Sequence, residues 1–291
     1  MNRREMVGLG AAGLSLVASS GLAASRAPEQ SVRTFMRMFA TTSGEVCVAT
    51  EGLIYGRAAG DLARPLCGYL SLLTVRAAEP QPGVFRTEQR EATLYLDAKS
   101  GEVLKSFVNP YTQETVIPFG YVSPTNVYWF DKTGSYARDL PPVRTGEGHL
   151  IWNVTEDAIS ATEGRVNRFP AGISEAEFPR AFTGPERVSV DNLSYEAKVS
   201  DLNTSRAYIP ALIRQLTDGP WQFWLMMGRT PGGVLWNGSG QKYRTIARSP
   251  ARYRGLVEQV YPGFVADPWA FSQRDFGTLA QMRRLRAAGR I

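Results

Sequence analysis

Short apolar runs alternate with turns along most of the chain, from about residue 42 to about residue 250. The runs are rich in Val, Tyr, Phe, Trp and Thr, and the turns contain Gly, Pro, Asn and Asp. This texture is typical of β-strands bounded by turns. The candidate strands are EVCVATEGLIYG, LCGYLSLLTVRA, FRTEQREATLYLDA, VLKSFVNP, ETVIPFGYV, NVYWFD, HLIWNVTED, RVSVDNLSYEAKVS, WQFWLMM and GVLWNGSGQKYRTIA.

These strands follow one another without helices between them, which favours an antiparallel sheet over a parallel α/β sheet. An antiparallel sheet of about ten strands usually closes on itself, because closure removes edges that promote aggregation. We therefore predict a mainly β fold, a closed or nearly closed antiparallel β-barrel of the calycin or lipocalin type. A barrel of this size leaves room for one small ligand.

Helical spacing of apolar residues occurs near both ends of the chain. SVRTFMRMFAT places Val32, Phe35, Met38 and Phe39 on one face and predicts a short N-terminal helix. SPARYRGLVEQVYPG and FGTLAQMRRLRAAGR predict two C-terminal helices, and the second forms a basic helix over 273–290. SRAYIPALIRQLTDG predicts a further helix, or a lid with a turn at Pro210.

Two turn patterns predict hairpins between strands. LDAKSGEVL places Gly101 where a tight turn needs positive φ, and WNGSGQKY resembles a second hairpin. The chain contains no internal repeat, low-complexity segment or convincing linker. We therefore predict a single domain over 28–291.

Residues 1–27 resemble an export signal. The adjacent Arg3 and Arg4 precede a weakly apolar Gly/Ala-rich run and then small residues suited to signal peptidase. This order predicts a twin-arginine signal, hence export by the twin-arginine machinery and a periplasmic or secreted bacterial protein. The alternative is an ordinary Sec signal with a chance pair of arginines. No other apolar run reaches about 18 residues, so no stable membrane anchor is expected.

Charge and cysteine content limit the partners and cofactors. The formal net charge is +6, and its excess lies in the tail QMRRLRAAGRI, which either contacts an acidic surface or forms a solvated helix face. No basic patch with interleaved aromatics occurs, so nucleic acid is not an expected partner. Cys47 and Cys67 either form a disulfide or are two buried thiols. His149 is the only histidine, and neither a metal site nor any cofactor is predicted.

Residues 219–238, GPWQFWLMMGRTPGGVLWNG, concentrate Trp and Met in a short segment. If WQFWLMMG is a strand, Trp224 and Met226 lie on one face and Trp221 lies on the other. Large rings and flexible thioethers suit either the heaviest part of a core or the wall of an apolar cavity. We take Trp221, Trp224 and Met226 as candidate ligand contacts.

Polar candidates for chemistry are few. FVNPYTQE is either a hairpin corner or a cluster of neutral hydrogen-bonding groups, with Asn109 as a ligand contact and Tyr111 as a proton donor. Glu196 is the candidate acid or base, because an inward carboxyl among aromatics would have a raised pKa. The alternative for Glu196 is an outward carboxylate paired with Lys198 or Arg187. The tyrosines without distinguishing spacing are Tyr128, Tyr195, Tyr208 and Tyr243, of which Tyr128 and Tyr243 are taken as ligand contacts.

Three stretches resemble a known family. TLYLDAKSGEVLKSFVNPYTQETV, DGPWQFWLMMGRTPGGVLWNGSG and YPGFVADP are similar, in this order, to motifs of the bacterial and fungal family called domain of unknown function 1838. The resemblance spans about residues 31–270 and implies one domain, often behind a twin-arginine leader. Gln113 stands where the family pattern has Gly, and VSPTN replaces an Asn-Asp-Pro run. If that run is a polar part of the site, the chemistry of this member is altered or lost.

These observations predict an exported barrel that binds an apolar, partly oxygenated small molecule. As an enzyme it would work without a cofactor, by acid–base catalysis, as an isomerase, cyclase, dehydratase or hydrolase. The alternatives are a periplasmic ligand carrier without catalysis and a structural envelope protein without a pocket.

Overall fold

The computed structural model describes residues 30–132, 134–136, 144–145 and 149–291. The predicted leader at 1–27 and the side chain of His149 lie outside this description. In the described part, the chain forms a large antiparallel sheet with a helix on each of its faces.

The strands are β1 (Gly44–Ala58), β2 (Arg64–Gln81), β3 (Val84–Leu96), β4 (Phe107–Val108), β5 (Thr115–Val116), β6 (Tyr121–Val122), β7 (Asn126–Asp131), β8 (Gly134–Tyr136), β9 (Arg144–Thr145), β10 (His149–Val154), β11 (Ala158–Pro170), β12 (Glu186–Lys198), β13 (Leu212–Gly219) and β14 (Gly232–Tyr243). The helices are α1 (Val32–Phe39), α2 (Val199–Leu202), α3 (Ala251–Val260) and α4 (Thr278–Ala287).

The main sheet has the order β10-β11-β12-β13-β14-β1-β2-β3-β7-β8, with β9 added beside β11 and β6 beside β3. Every strand pair in it is antiparallel. The predicted mainly β, antiparallel fold is therefore confirmed. Closure is not confirmed, because within the described ranges no ladder of hydrogen bonds joins β10 to β8.

The sheet nevertheless curls strongly around α1. Phe130 on β7 and Tyr195 on β12 are six places apart in the strand order, yet both rings contact Phe35 of α1. The ring centroids are 5.7 Å apart for Phe35 and Phe130 and 5.5 Å apart for Phe35 and Tyr195. The sheet therefore has a concave face, and these rings form the helix cluster at one end of it.

Helix α1 is confirmed, and both of its ends are bound by side chains. The Ser31 hydroxyl accepts a hydrogen bond from the Thr34 N–H at 3.3 Å, as an N-cap does. At the other end, Lys242 of β14 donates to the carbonyls of Arg37, Met38 and Ala40. The buried ammonium therefore binds carbonyls that the helix itself leaves without donors.

The convex face is covered by the C-terminal region. Val257 and Tyr261, in and just after α3, pack with Cys47, Leu70 and Leu94 of the sheet. The two predicted C-terminal helices are confirmed as α3 and α4. Arg283 of the basic helix α4 pairs with Glu177 at 2.8 Å, so part of its charge is bound within the protein.

Two turn predictions have different outcomes. The LDAKSGEVL turn is confirmed, because Gly101 has φ +71° and its N–H donates to the Asp97 carbonyl at 2.8 Å. The hairpin expected in WNGSGQKY is wrong, since Gly232–Tyr243 is one continuous strand. Its glycines let strands approach closely rather than turn: a Cβ on Gly240 would lie 2.1 Å from the Ala49 carbonyl oxygen.

The helix or lid expected in SRAYIPALIRQLTDG is also wrong. Leu212–Gly219 forms strand β13, which pairs with β12 and β14 through the centre of the sheet. Leu212, Ile213 and Leu216 resemble a helical spacing, but Ile213 faces the core whereas Leu212 and Leu216 are exposed on the other face. Pairing on both edges of the strand overrides the local pattern.

The WQFWLMM segment is not a strand. Gly219 ends β13, Pro220 offers no N–H, and Phe223–Leu225 form a short 3-10 turn that ends at Met226 with φ +53°. The apolar side chains from Trp221 to Met227 are all buried, so the segment has no outward face. A segment buried on every side does not alternate, and this explains why the strand interpretation failed.

The two cysteines are free and buried on opposite faces of the sheet. Cys47 packs against the covered convex face, and Cys67 packs with Tyr69 and Trp236 on the concave face. Of the two alternatives left open by the sequence, the structure has the pair of free thiols. Burial raises the pKa of each thiol to about 12.

Candidate functional site

The concave face has an apolar cluster at each end and a polar band between them. The helix cluster occupies one end, and the tryptophan cluster, formed by Tyr69, Tyr95, Trp221, Trp224 and Trp236, occupies the other. Strand register places the intervening inward side chains side by side. This polar layer consists of Thr50, Ser71, Gln89, Glu91, Thr93, Tyr121, Tyr128, Glu163, Arg165, Asn167, Asp191, Gln215 and Thr217.

Glu91 of β3 is the carboxylate with the most hydroxyl donors in the polar layer. Ser71 and Thr93 donate to its Oε1 at 2.5 and 3.2 Å, and Tyr121 donates to its Oε2 at 3.3 Å. Its backbone N–H donates to the Ser123 hydroxyl at 2.9 Å. The side chain is thereby fixed, yet Glu91 is only half-buried.

Tyrosines around Glu91 are held in the protonated state. Burial, followed by the nearby Glu91 carboxylate, raises the pKa of Tyr121 well above its ordinary value. The same two causes raise the pKa of Tyr69, whose hydroxyl donates to Gln215 Oε1 at 3.0 Å. Glu91 therefore faces phenols that remain hydrogen-bond donors at neutral pH.

Arg165 lies across the concave face within a set of acids. Its Nε is 3.1 Å from Asp191 Oδ2 and its NH1 is 3.7 Å from Glu163 Oε1. Burial alone disfavours the charged guanidinium, but the two carboxylates outweigh this effect and raise the pKa of Arg165. The guanidinium carbon lies 5.2 Å from the centre of the Tyr128 ring. Tyr128 lies on β7, which pairs with β3, so Arg165 connects the acids of β11 and β12 with the opposite part of the sheet.

Glycines form the central part of the concave floor. Gly52 of β1 pairs with Gly238 of β14, and a Cβ on Gly238 would lie 2.1 Å from the Tyr69 hydroxyl oxygen. Only glycine permits Tyr69 to lie across this position. The neighbouring inward residues Gln215 and Thr217 are half-buried, whereas Thr50 and Ser71 on the adjacent strands are buried.

Of the residues predicted from sequence, Tyr128 lies in the polar layer. Tyr243 does not: it lies on the convex face with Cys47, near α3, and its hydroxyl donates to Gln241 at 3.3 Å. Tyr243 is therefore separated from the polar layer by the sheet.

Glu196 also lies outside the polar layer. Its neighbours Tyr195 and Ala197 are buried on the concave face, so alternation directs Glu196 to the convex face, where it is half-exposed. The inward orientation on which a catalytic role depended is not present. Of the two orientations that the sequence left open for Glu196, the structure has the outward one.

Asn109 and Tyr111 form a hairpin corner. Asn109 is 0% exposed, and its amide donates to the Leu225 carbonyl at 2.8 Å and accepts from the Tyr111 N–H at 2.9 Å. Tyr111 meets the Trp221 ring edge-on at 5.3 Å between centroids. These contacts hold the tryptophan segment in place, which is the structural alternative of the two that the sequence left open.

Trp221 and Trp224 are 1% exposed, and Trp221 Nε1 donates to the Thr230 carbonyl at 2.9 Å. They fill the tryptophan-cluster end of the concave face. Met226 instead lines an outer pocket of about 550 Å³ between β5, residues 176–181 and α4. Arg180 at its rim pairs with Glu114.

Sequence reasoning missed Glu91 because FRTEQREATLYL is polar at nearly every position before Ala92. Thr87, Gln89, Glu91 and Thr93 share the inward face, but Arg86, Glu88 and Arg90 make the other face equally polar. The available clue was the VSPTN departure, since Ser123 of that run binds the Glu91 backbone.

No helix among the described residues is long and apolar enough to cross a membrane. No group of three or more His, Cys, Asp or Glu side chains in the described ranges is placed to hold a metal ion.

Comparison with known proteins gave one match. A family model described as "Protein of unknown function (DUF1838)" matches residues 44–284, which include the whole polar layer. No curated protein and no solved structure matched the chain.

Proposed function

Because the chain belongs to the DUF1838 family, whose description names no activity, we propose a function from its own geometry. The concave face binds one small organic molecule that is largely apolar and carries oxygen functions. The molecule lies between the helix cluster and the tryptophan cluster, against the polar layer.

The observation that carries this proposal is a layer of buried and half-buried polar side chains between two apolar clusters. Buried polar and charged groups cost free energy, and a purely structural interior is filled more favourably by apolar side chains. Glu91, Tyr128, Gln215 and Thr217 are all inward and all half-buried. An open polar centre with apolar ends is complementary to an apolar molecule with oxygens in its middle.

The tyrosine, threonine and amide groups of the polar layer are neutral, and they favour a ligand with carbonyl or hydroxyl oxygens. Gln215 Nε2 donates to the Thr217 hydroxyl at 3.3 Å and its Oε1 accepts from Tyr69, so the amide orientation is fixed. Neutral groups held in this way orient a carbonyl or hydroxyl oxygen without requiring a charge on it.

A second candidate function is proton transfer by Glu91. Two hydroxyls on Oε1 and the Tyr121 phenol on Oε2 position a carboxylate that guests in the polar layer can reach. In this role Glu91 accepts a proton from the guest, and Tyr121 or Tyr69 donates a hydrogen bond to the oxygen that gains charge. Isomerisation, cyclisation and dehydration need only these elements and no cofactor.

We also propose export to the periplasm or beyond, supported by the Arg3-Arg4 leader pattern. A reporter fused after residue 27 is expected to depend on the twin-arginine machinery. Replacement of Arg3 and Arg4 by Lys is expected to retain the reporter in the cytoplasm, and unchanged export would contradict a twin-arginine route.

Adjacent residues of β13 provide a matched pair for testing the binding site. Thr217 faces the polar layer, whereas Leu216 is 44% exposed on the opposite face. Thr217→Phe is expected to fill the site, and Leu216→Phe adds a ring of the same size outside it. Small molecules released from each protein, purified from its native host, are identified by mass spectrometry.

The expected result is one compound released stoichiometrically from the wild type and from Leu216→Phe, and at least about tenfold less from Thr217→Phe. Equal release from both variants would place the compound elsewhere and exclude the polar layer as its site.

A further inference from the structure

We propose that the guest carries an anionic group, a carboxylate, which binds Arg187 at the tryptophan-cluster end of the concave face. This inference rests on the proposed function and names the chemical class of its ligand.

Arg187 belongs to the concave face. It lies on β12 in the same alternation as Asp191 and Tyr195, which are both inward. Its guanidinium carbon lies 4.1 Å from the centre of the Phe223 ring, and the residue is only 5% exposed. A full positive charge is therefore held beside the tryptophan cluster.

Arg187 lacks the acids that accompany Arg165. Its single hydrogen-bond acceptor in the described structure is the Trp221 carbonyl, 3.2 Å from NH1. No carboxylate of a described residue lies within ion-pair distance of it, whereas Arg165 has both Glu163 and Asp191. A guanidinium has five N–H donors, so most of those on Arg187 remain available to a planar anion.

The missing acid has an electrostatic consequence. Burial lowers the pKa of Arg187 to about 10, and no carboxylate among the described residues opposes this effect. A bound carboxylate would supply the opposite charge that the protein does not.

The neighbouring polar groups of the tryptophan cluster interact with one another and leave Arg187 as the group without a full set of partners. The Tyr95 hydroxyl donates to Gln222 Oε1 at 2.9 Å. The buried Trp224 indole N–H lies against the Tyr95 hydroxyl, with which it interacts, and the two ring centroids are 5.0 Å apart. An acceptor-only group such as a carboxylate would accept from the remaining N–H groups of Arg187.

Tyr95 also indicates the direction of the guest. On the inward face of β3, Tyr95 lies in the tryptophan cluster, and Glu91 lies two inward positions further toward the helix cluster. A carboxylate at Arg187 therefore directs the rest of the guest toward Glu91, and the Glu91 charge disfavours the reversed orientation. The predicted ligand class is an amphiphilic carboxylic acid with an oxygen function along its apolar body.

The test compares two probes with the same chain, decanoate and 1-decanol, titrated against ligand-stripped protein with tryptophan fluorescence as the readout. The variants are Arg187→Gln, Arg187→Lys and, as a matched control, Arg214→Gln, which removes an exposed arginine on the convex side of β13. We expect the wild type and Arg214→Gln to bind decanoate at least about tenfold more tightly than 1-decanol. Arg187→Gln is expected to lose this preference, and Arg187→Lys to retain part of it.

Equal binding of the two probes by the wild type, or an unchanged preference in Arg187→Gln, would overturn the carboxylate inference and leave the binding site itself intact. Failure of both probes to bind would also overturn it. The release experiment with Thr217→Phe and Leu216→Phe then decides separately whether the concave face binds a guest at all.

Discussion

At the residue scale, Gln113 shows how one departure from a family pattern acts on the backbone. It has φ +59°, a region that favours glycine, and its N–H closes a turn onto the Asn109 carbonyl at 2.8 Å. The sequence comparison expected Gly at this position, and the turn geometry supplies the physical reason for that expectation.

Gln113→Gly is expected to raise the free energy of unfolding by about 0.5–1 kcal/mol, because the relief of left-handed strain exceeds the entropy cost of glycine. Urea unfolding measures the change. Gln81→Gly is the control, since Gln81 is exposed and has no positive φ, and it is expected to destabilise. A loss of stability in Gln113→Gly would show that the side-chain hydrogen bond to Pro110 matters more than the strain.

The unpaired charge of Arg187 is expected to destabilise the folded protein when no ligand is bound. Burial without an acid lowers the pKa of Arg187 to about 10, so below that pH the guanidinium is charged in both states and its charge destabilises the folded state relative to the unfolded state. In ligand-stripped protein at pH 7, Arg187→Met is therefore expected to raise the free energy of unfolding by about 1–2 kcal/mol. Destabilisation in urea would instead indicate that Arg187 mainly tethers the Trp221 carbonyl.

At the element scale, Lys242 is a buried cation whose pKa is also lowered, by burial and by the nearby Arg37 charge, but which has more hydrogen-bond acceptors than Arg187. Three carbonyls at the end of α1 accept from its ammonium, whereas Arg187 has one acceptor. Lys242→Met is expected to lower the free energy of unfolding by about 2–4 kcal/mol, because those carbonyls lose their donor. Hydrogen exchange should show faster opening of α1, and Lys198→Met, which removes an exposed lysine, should leave both measurements unchanged.

The sequence was informative about elements wherever a single face of the element is buried. Helix α1 was predictable because Phe35, Met38 and Phe39 repeat at helical spacing and its other side is polar. Strand β13 was not predictable, because Leu212 and Leu216 are apolar on an exposed face and give a false helical spacing. The segment Trp221–Met227 has no alternation at all, since its apolar side chains are buried all round.

The candidate site was less predictable than the fold for a related reason. Inward polar residues on β3 have equally polar outward neighbours, so no periodicity distinguishes Glu91 from Glu88. Their difference depends on the curl of the sheet, which brings Tyr121, Arg165 and Gln215 from distant parts of the chain to one level. Tyr128 was identified and Glu91 was not, because only aromatic content and not orientation was visible in the sequence.

The positions of the two cysteines on opposite faces of the sheet predict that the protein contains no disulfide between them. A disulfide closing a loop of about 20 residues would contribute about 3 kcal/mol and several degrees of thermal stability. Because Cys47 and Cys67 lie on opposite faces, a thiol reductant is expected to change the melting temperature by less than about 1 °C. A drop of several degrees in differential scanning calorimetry would contradict the strand register.

At the scale of the whole molecule, the apolar clusters that stabilise the fold are distinct from the polar layer that we propose as the binding site. The helix cluster, the tryptophan cluster and the covered convex face supply apolar packing, and the polar layer between the two concave clusters holds the buried and half-buried polar side chains. The outer pocket beside Met226 is a separate opening on the far side of the tryptophan segment. The outer pocket also has charged residues at its wall, among them Glu177 and Arg286, and we propose the concave face as the site of the guest because it combines a polar layer with an apolar cluster at each end.

The most direct measurement is a crystal structure of the protein purified from its native host without stripping of bound molecules. We predict electron density for one organic molecule in contact with the polar layer, within hydrogen-bond distance of Glu91 or Gln215. Density for a guest only in the outer pocket, or side chains that close the polar layer against each other, would contradict it.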